Sequence, residues 1–241
     1  MHRRRMFLHA AGAALAVPVI GSVLTRPDYG RVEAACPSCG DDPVSVEALR
    51  QFRAAIRGLS KSARGEHARQ AAGALRVLAA NGKARNLDAE FRRAADREVK
   101  TYGRDNVLMR PFDREQFAAT AREFGVVPAP DVRMNVDLAE RRQVLDILLT
   151  AGVTVHIERA AAFFEAAGAQ LDTKGPVQRV QTKEEQIAMC KDLQTFINTA
   201  EGAMIVACVI GGALACAYFS GVYLGAKIYY QTQTECSKWL G

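Results

Sequence analysis

Histidine is scarce in this chain, with four copies in 241 residues; tryptophan occurs once, and aromatic side chains make up only 7%. Beyond position 34 only His67 and His156 remain, distant from each other and from every cysteine. A zinc centre would need more ligands at short spacing. No G-x-S-x-G elbow, phosphate-binding glycine loop or H-E-x-x-H pair occurs. Acidic residues are plentiful, but they alternate with arginine, as around Arg92, Arg93, Asp96, Arg97 and Glu98, which is the pattern of a solvated helix face. Neither catalysis nor a bound cofactor is expected. Internal repeats and low-complexity tracts are also missing. Strand-type alternation is confined to a short stretch at 177–180.

Charge of one sign is not concentrated either. The chain carries 32 Lys/Arg against 26 Asp/Glu, a formal net charge of +6. Arg3, Arg4, Arg5, Arg26 and Arg31 fall within the first 34 residues, and the remainder is close to balanced. A nucleic-acid partner is therefore not expected, because such a partner calls for a basic patch.

What the N-terminus does hold is a pattern. Arg4-Arg5-x-Phe7-Leu8 resembles the twin-arginine export signature, with Arg3 and His9 departing from its usual flanks. Residues 10–24 are uncharged, rich in Ala and Gly, and too short and weakly apolar for a membrane span. Val32-Glu33-Ala34 places short side chains before a cut between Ala34 and Ala35. Residues 1–34 are thus expected to be a signal peptide read by export machinery, leaving about two hundred residues, enough for a real core. An exported chain meets an oxidising compartment. The six cysteines, Cys36, Cys39, Cys190, Cys208, Cys216 and Cys236, are then disulfide candidates, with 15 connectivities open. Cys36-Pro37-Ser38-Cys39 is a CxxC for which a structural disulfide outweighs zinc or redox chemistry, since no βαβ context surrounds it.

Along the rest of the chain helix formers dominate. Leu49, Phe52, Ile56 and Leu59 share one helical face. A second helix with Leu75 and Leu78 is expected to stop at Asn81-Gly82. A third runs from Leu87 to Tyr102 before Gly103, and a fourth, with Phe117, Ala121 and Phe124, ends at Gly125. Pro128 and Pro130 mark a connector. Asp137 opens a fifth helix reaching Gly152, and a sixth covers 155–171. The fold class is mainly α: a helical bundle or array, with domain 44–172 following a short CxxC segment at 35–43. A linker at 173–182 leads to a C-terminal segment, 183–241. Thr182 and Glu185 form a capping box there, followed by the stripe Ile187, Cys190, Leu193 and Ile197.

Residues 203–226 carry no formal charge. As one helix they would extend about 36 Å, enough for a bilayer core of ~30 Å. Gly221 and Gly225 form a GxxxG behind Gly211-Gly212, spacing that lets membrane helices approach closely. The same composition suits the central helix of a soluble bundle, or two shorter helices turning at Gly211-Gly212. On a continuous helix Cys208 and Cys216 would lie about 12 Å apart, beyond bridging distance. Either the segment is a disulfide-closed hairpin, or these two cysteines pair with Cys190 and Cys236.

This layout resembles sporulation-delaying-protein-type toxin precursors: a signal peptide, a charged helical middle, and an apolar Gly/Ala-rich end holding Cys208, Cys216 and the run AYFSGVYLGAKIYY. In that family the two cysteines lie closer together, and Cys36 and Cys39 have no counterpart. The resemblance implies proteolytic release of a short disulfide-bonded peptide that disrupts membranes, with a processing protease and an immunity protein as partners. Two other readings stand beside it: an exported soluble binding or structural protein with 203–226 as core, and a membrane-tethered structural protein.

Overall fold

Asp42 opens the first helix by chemistry readable in four residues. Its carboxylate accepts the Ser45 N–H at 2.9 Å, and Pro43 occupies the first turn, where a missing N–H costs nothing. In the computed structural model, residues 42–111, 114–126, 136–172, 183–210, 212–233 and 236 are described. They form nine helices and no strand: α1 (Pro43–Lys61), α2 (Gly65–Ala84), α3 (Leu87–Tyr102), α4 (Arg104–Leu108), α5 (Arg114–Glu123), α6 (Leu138–Thr150), α7 (Val153–Asp172), α8 (Lys183–Ile210) and α9 (Gly212–Thr232). The chain is mainly α, ending in a helical hairpin. The export residues Arg4, Arg5, Phe7 and Leu8, the cut at Ala34/Ala35, Cys36, Cys39, the connector prolines, the linker 173–182, the strand-like stretch 177–180 and Thr182 all lie outside the described residues.

The apolar stripe of α1 is buried as its spacing requires, with Phe52 and Ile56 fully enclosed. Helix α2 packs lengthwise on α1 and α7. It does not stop at Asn81-Gly82. The Asn81 amide is drawn inward to Asp42 and to Ser45 Oγ (2.8 Å), and Gly82 lets Leu87 and Thr154 approach, so the helix runs on to Ala84. The left-handed residue that ends the run is Asn86, at φ 59°. Two residues on, Asp88 accepts the backbone N–H (2.9 Å) and hydroxyl (2.6 Å) of Thr154 and so caps α7 from α3. Helix α6 begins with the capping box of Asp137 and Glu140. The short α4 has no counterpart in the sequence reading. Its Arg104 and Asp105 pair with Asp146 and Arg142 of α6 at 2.5 and 2.6 Å.

Helices α8 and α9 double back on each other. Helix α9 packs on α1 and α5, and α6 packs on α8. The hairpin thus shares one continuous hydrophobic core with the helices before it.

Candidate functional site: a stapled apolar hairpin

The sequence singles out 203–226, and the structure breaks this segment between Ile210 and Gly212. Of the two arrangements open from the sequence, the hairpin is the one found. Cys208 bridges Cys216, with Cα atoms 4.2 Å apart. Cys190 bridges Cys236, at a Cα separation of 5.2 Å. The first bridge sits at the tip, where Cys208 is partly exposed; the second lies at the base, where both cysteines are 0% exposed. The first joins α8 to α9, and the second joins α8 to Cys236, four residues past the end of α9.

Burial is concentrated in the apolar part of the hairpin. Every residue from 200 to 207 on α8 and from 215 to 226 on α9 is buried. Among the described residues, α8 is the one helix long and apolar enough to cross a membrane, yet 61% of its most apolar window is enclosed. Among the described residues, the bent pair of α6 and α7 passes the same test only if its 104° break is ignored.

The GxxxG faces the bundle. A Cβ at Gly221 would lie 2.5 Å from the Phe124 ring and 2.6 Å from Phe52, and one at Gly225 would lie 2.6 Å from Ile56 and Phe164. Glycine here is what lets α9 approach α1, α5 and α7 this closely. Gly211 is not among the described residues. Rings fill the remaining seams: Phe196 of α8 stacks on Phe163 of α7 at 3.9 Å, Tyr229 meets Phe163 edge-on at 5.7 Å, and Phe117 of α5 faces Tyr223 at 6.2 Å.

Among the described residues, polar ties cross from the hairpin to the chain before it. The Tyr218 hydroxyl donates to the Ser45 carbonyl at 3.4 Å, the Tyr229 hydroxyl bonds the Gln170 amide oxygen, and the Val136 N–H donates to Glu201 Oε1 at 3.2 Å. Glu201 is 0% exposed, and it is the residue that sequence reasoning missed. A signal was present: it is the sole acidic residue between Asp192 and Glu235, directly before the uncharged run. One turn beyond Tyr223, Lys227 holds its ammonium 5.6 Å from the Tyr223 ring.

His156 is 6% exposed, and its ring lies 5.3 Å from Phe219 of α9. Burial, with Arg159 adding to it, lowers its pKa to about 4. His67 is half-buried, its ring filling the space above Gly58. The described residues contain no cluster of three or more His, Cys, Asp or Glu able to hold a metal ion. No protein-family model, curated protein or solved structure matches the chain.

Proposed function

We propose that this is an exported, latent membrane-active protein, in which α1–α7 form a sheath that keeps the α8–α9 hairpin in water-soluble form. One observation carries the reading. The hairpin is braced within itself, by Cys208–Cys216 and Cys190–Cys236, and neither bridge fastens it to α1–α7. Cutting the chain between 172 and 183 would leave a unit held in shape by its own bridges, with an apolar tip that needs either the sheath or a lipid surface to cover it. The layout resemblance to toxin precursors points the same way, and so does the absence of formal charge between Glu201 and Lys227.

The test is leakage of dye-loaded anionic vesicles by the secreted protein carrying an inserted protease site between Asp172 and Lys183. Intact protein is expected to be inert and cleaved protein to release dye. A specific observation favours the rival reading, an exported soluble binding protein with a permanent core: Gly221 and Gly225 fit closely against Phe52, Phe124, Ile56 and Phe164. If cleaved protein stays assembled and inert on vesicles, the rival stands.

A further inference from the structure

We infer that the oxidised hairpin enters a single leaflet, tip first, and does not cross the bilayer, with the two bridges setting that depth. The inference rests on the membrane-active reading above and goes beyond it by fixing how the lipid is engaged.

Length and register limit how far the hairpin can reach. Opened into one helix, residues 203–226 would cover about 36 Å and cross a core of ~30 Å. Stapled, they cannot straighten. Positions 208 and 216, which a continuous helix would hold about 12 Å apart, are fixed at 4.2 Å, and the base is fixed at 5.2 Å. The uncharged stretch is therefore divided into two antiparallel arms. The α8 arm, from Gly202 to Ile210, is nine residues or about 14 Å long; the α9 arm, from Gly212 to Ala226, is fifteen residues or about 22 Å. Each falls short of the ~30 Å core, and the shorter matches half of it.

The ends of the two uncharged arms away from the tip carry what a membrane surface accepts. Glu201 ends the apolar part of α8 and Lys227 that of α9, and deeper entry would draw both charges below the headgroups. Tyr223, Tyr229 and Tyr230 sit at the same end, where amphipathic rings favour the interface. The charge-free tip, by contrast, contains the partly exposed bridge.

The experiment uses the full secreted chain with the inserted protease site, cleaved in the presence of phosphatidylcholine/phosphatidylglycerol vesicles and floated to isolate bound material. Depth is read with the variant Trp239→Phe/Leu214→Trp, which places the single tryptophan near the tip. Quenching should be strongest with lipids brominated near the chain ends, and iodide trapped in the lumen should have no effect. Quenching by luminal iodide would show that the tip crosses and would overturn the inference.

Topology is read on the parent sequence, which avoids dependence on that variant. An impermeant amine reagent added outside should label Lys183 and Lys191, which precede the apolar arms, and Lys238, which follows them in the sequence. After reduction and alkylation, the freed segment should straighten and protect one end from the reagent. Protection of an end while the bridges are intact, or identical labelling in the two redox states, would overturn the assignment. Failure of cleaved protein to float with vesicles would instead remove the membrane-active reading itself, and this inference with it.

Discussion

Gly73 and Gly221 both lie in helix interiors, and the same substitution at the two sites should have opposite effects. Replacing a mid-helix glycine by alanine gains about 0.5–1 kcal/mol from backbone restriction, provided the new methyl group has room. At Gly73 of α2 nothing lies within 4 Å of the added carbon. Gly73→Ala is therefore expected to stabilise the protein by about that amount. At Gly221 of α9 the same carbon would sit 2.5 Å from the Phe124 ring and 2.6 Å from Phe52, both 0% exposed. Those rings meet each other edge-on at 5.7 Å, and Phe52 also contacts Phe164, so neither can swing clear without disturbing a second contact. Overpacking of this kind costs about 1–3 kcal/mol. Because the backbone gain is common to both variants, the difference between them isolates the packing cost, about 1–3 kcal/mol or roughly 2–12 °C in Tm at ~2–4 °C per kcal/mol for a chain of this size. Urea melts at unchanged m would measure it. If Gly221→Ala stabilises the protein as much as Gly73→Ala does, α9 is not seated against α1 and α5 as described.

Acid should weaken the fold in two separate windows. The His156 pKa falls from 6.5 unfolded to about 4 folded, so stability present above pH 6.5 is lost as pH drops toward 4, by a total on the order of 3 kcal/mol. His156→Phe should flatten chemical melts across that range, and an unchanged slope would refute the assignment. Below it, the carboxylates of Asp42, Glu47 and Asp105, held under their ordinary range by hydrogen bonds to Ser45, Arg50 and Arg142, lose their contribution in turn. The bridges should differ as well. With sequence separations of 46 and 8, removing Cys190–Cys236 by Ser substitution should cost about 4 kcal/mol and removing Cys208–Cys216 about 2.5 kcal/mol. Under mild reductant, mass mapping of alkylated thiols should find Cys208 and Cys216 modified first; modification of the buried base pair first would contradict the burial pattern. For export, Arg4→Lys with Arg5→Lys should leave unprocessed precursor in the cytoplasm on fractionation, and unchanged secretion would rule out the twin-arginine route.

The helices were legible where period and punctuation agree. Leu49, Phe52, Ile56 and Leu59 recur at helical spacing and are buried; Asp137 with Glu140, and the glycines at 103, 125 and 152, mark boundaries by chemistry local to a few residues. Asn81-Gly82 misled because a stop signal there competes with tertiary contacts, and the pull of Asp42 and Ser45 on Asn81 won. Helix α4 escaped notice because five residues are too few for periodicity, and its place is fixed by ion pairs to α6. The choice between a straight span and a hairpin could not be made from composition, since a run apolar on every face fits lipid and protein interior alike. The cysteine spacing narrowed it to two arrangements, and only the three-dimensional register selects one. Glu201 was passed over because a lone acidic residue on a helix is ordinarily solvated.

The way the hairpin is held determines what can loosen it. The ion pairs Arg69–Asp172, Arg76–Glu165 and Lys83–Glu158 tie α2 to α7, and Arg104–Asp146 and Arg142–Asp105 tie α4 to α6, so each lies within the sheath. Among the described residues, the seam to α8 and α9 contains stacked rings, close-fitting glycines and hydrogen bonds such as Tyr218 O–H to the Ser45 carbonyl and Val136 N–H to Glu201. Ionic strength therefore acts on the sheath's own fastenings, while its grip on the hairpin follows the solvation of apolar surface. That grip weakens on cooling and tightens in sulfate. Cold and brine would thus loosen two different parts of the same fold.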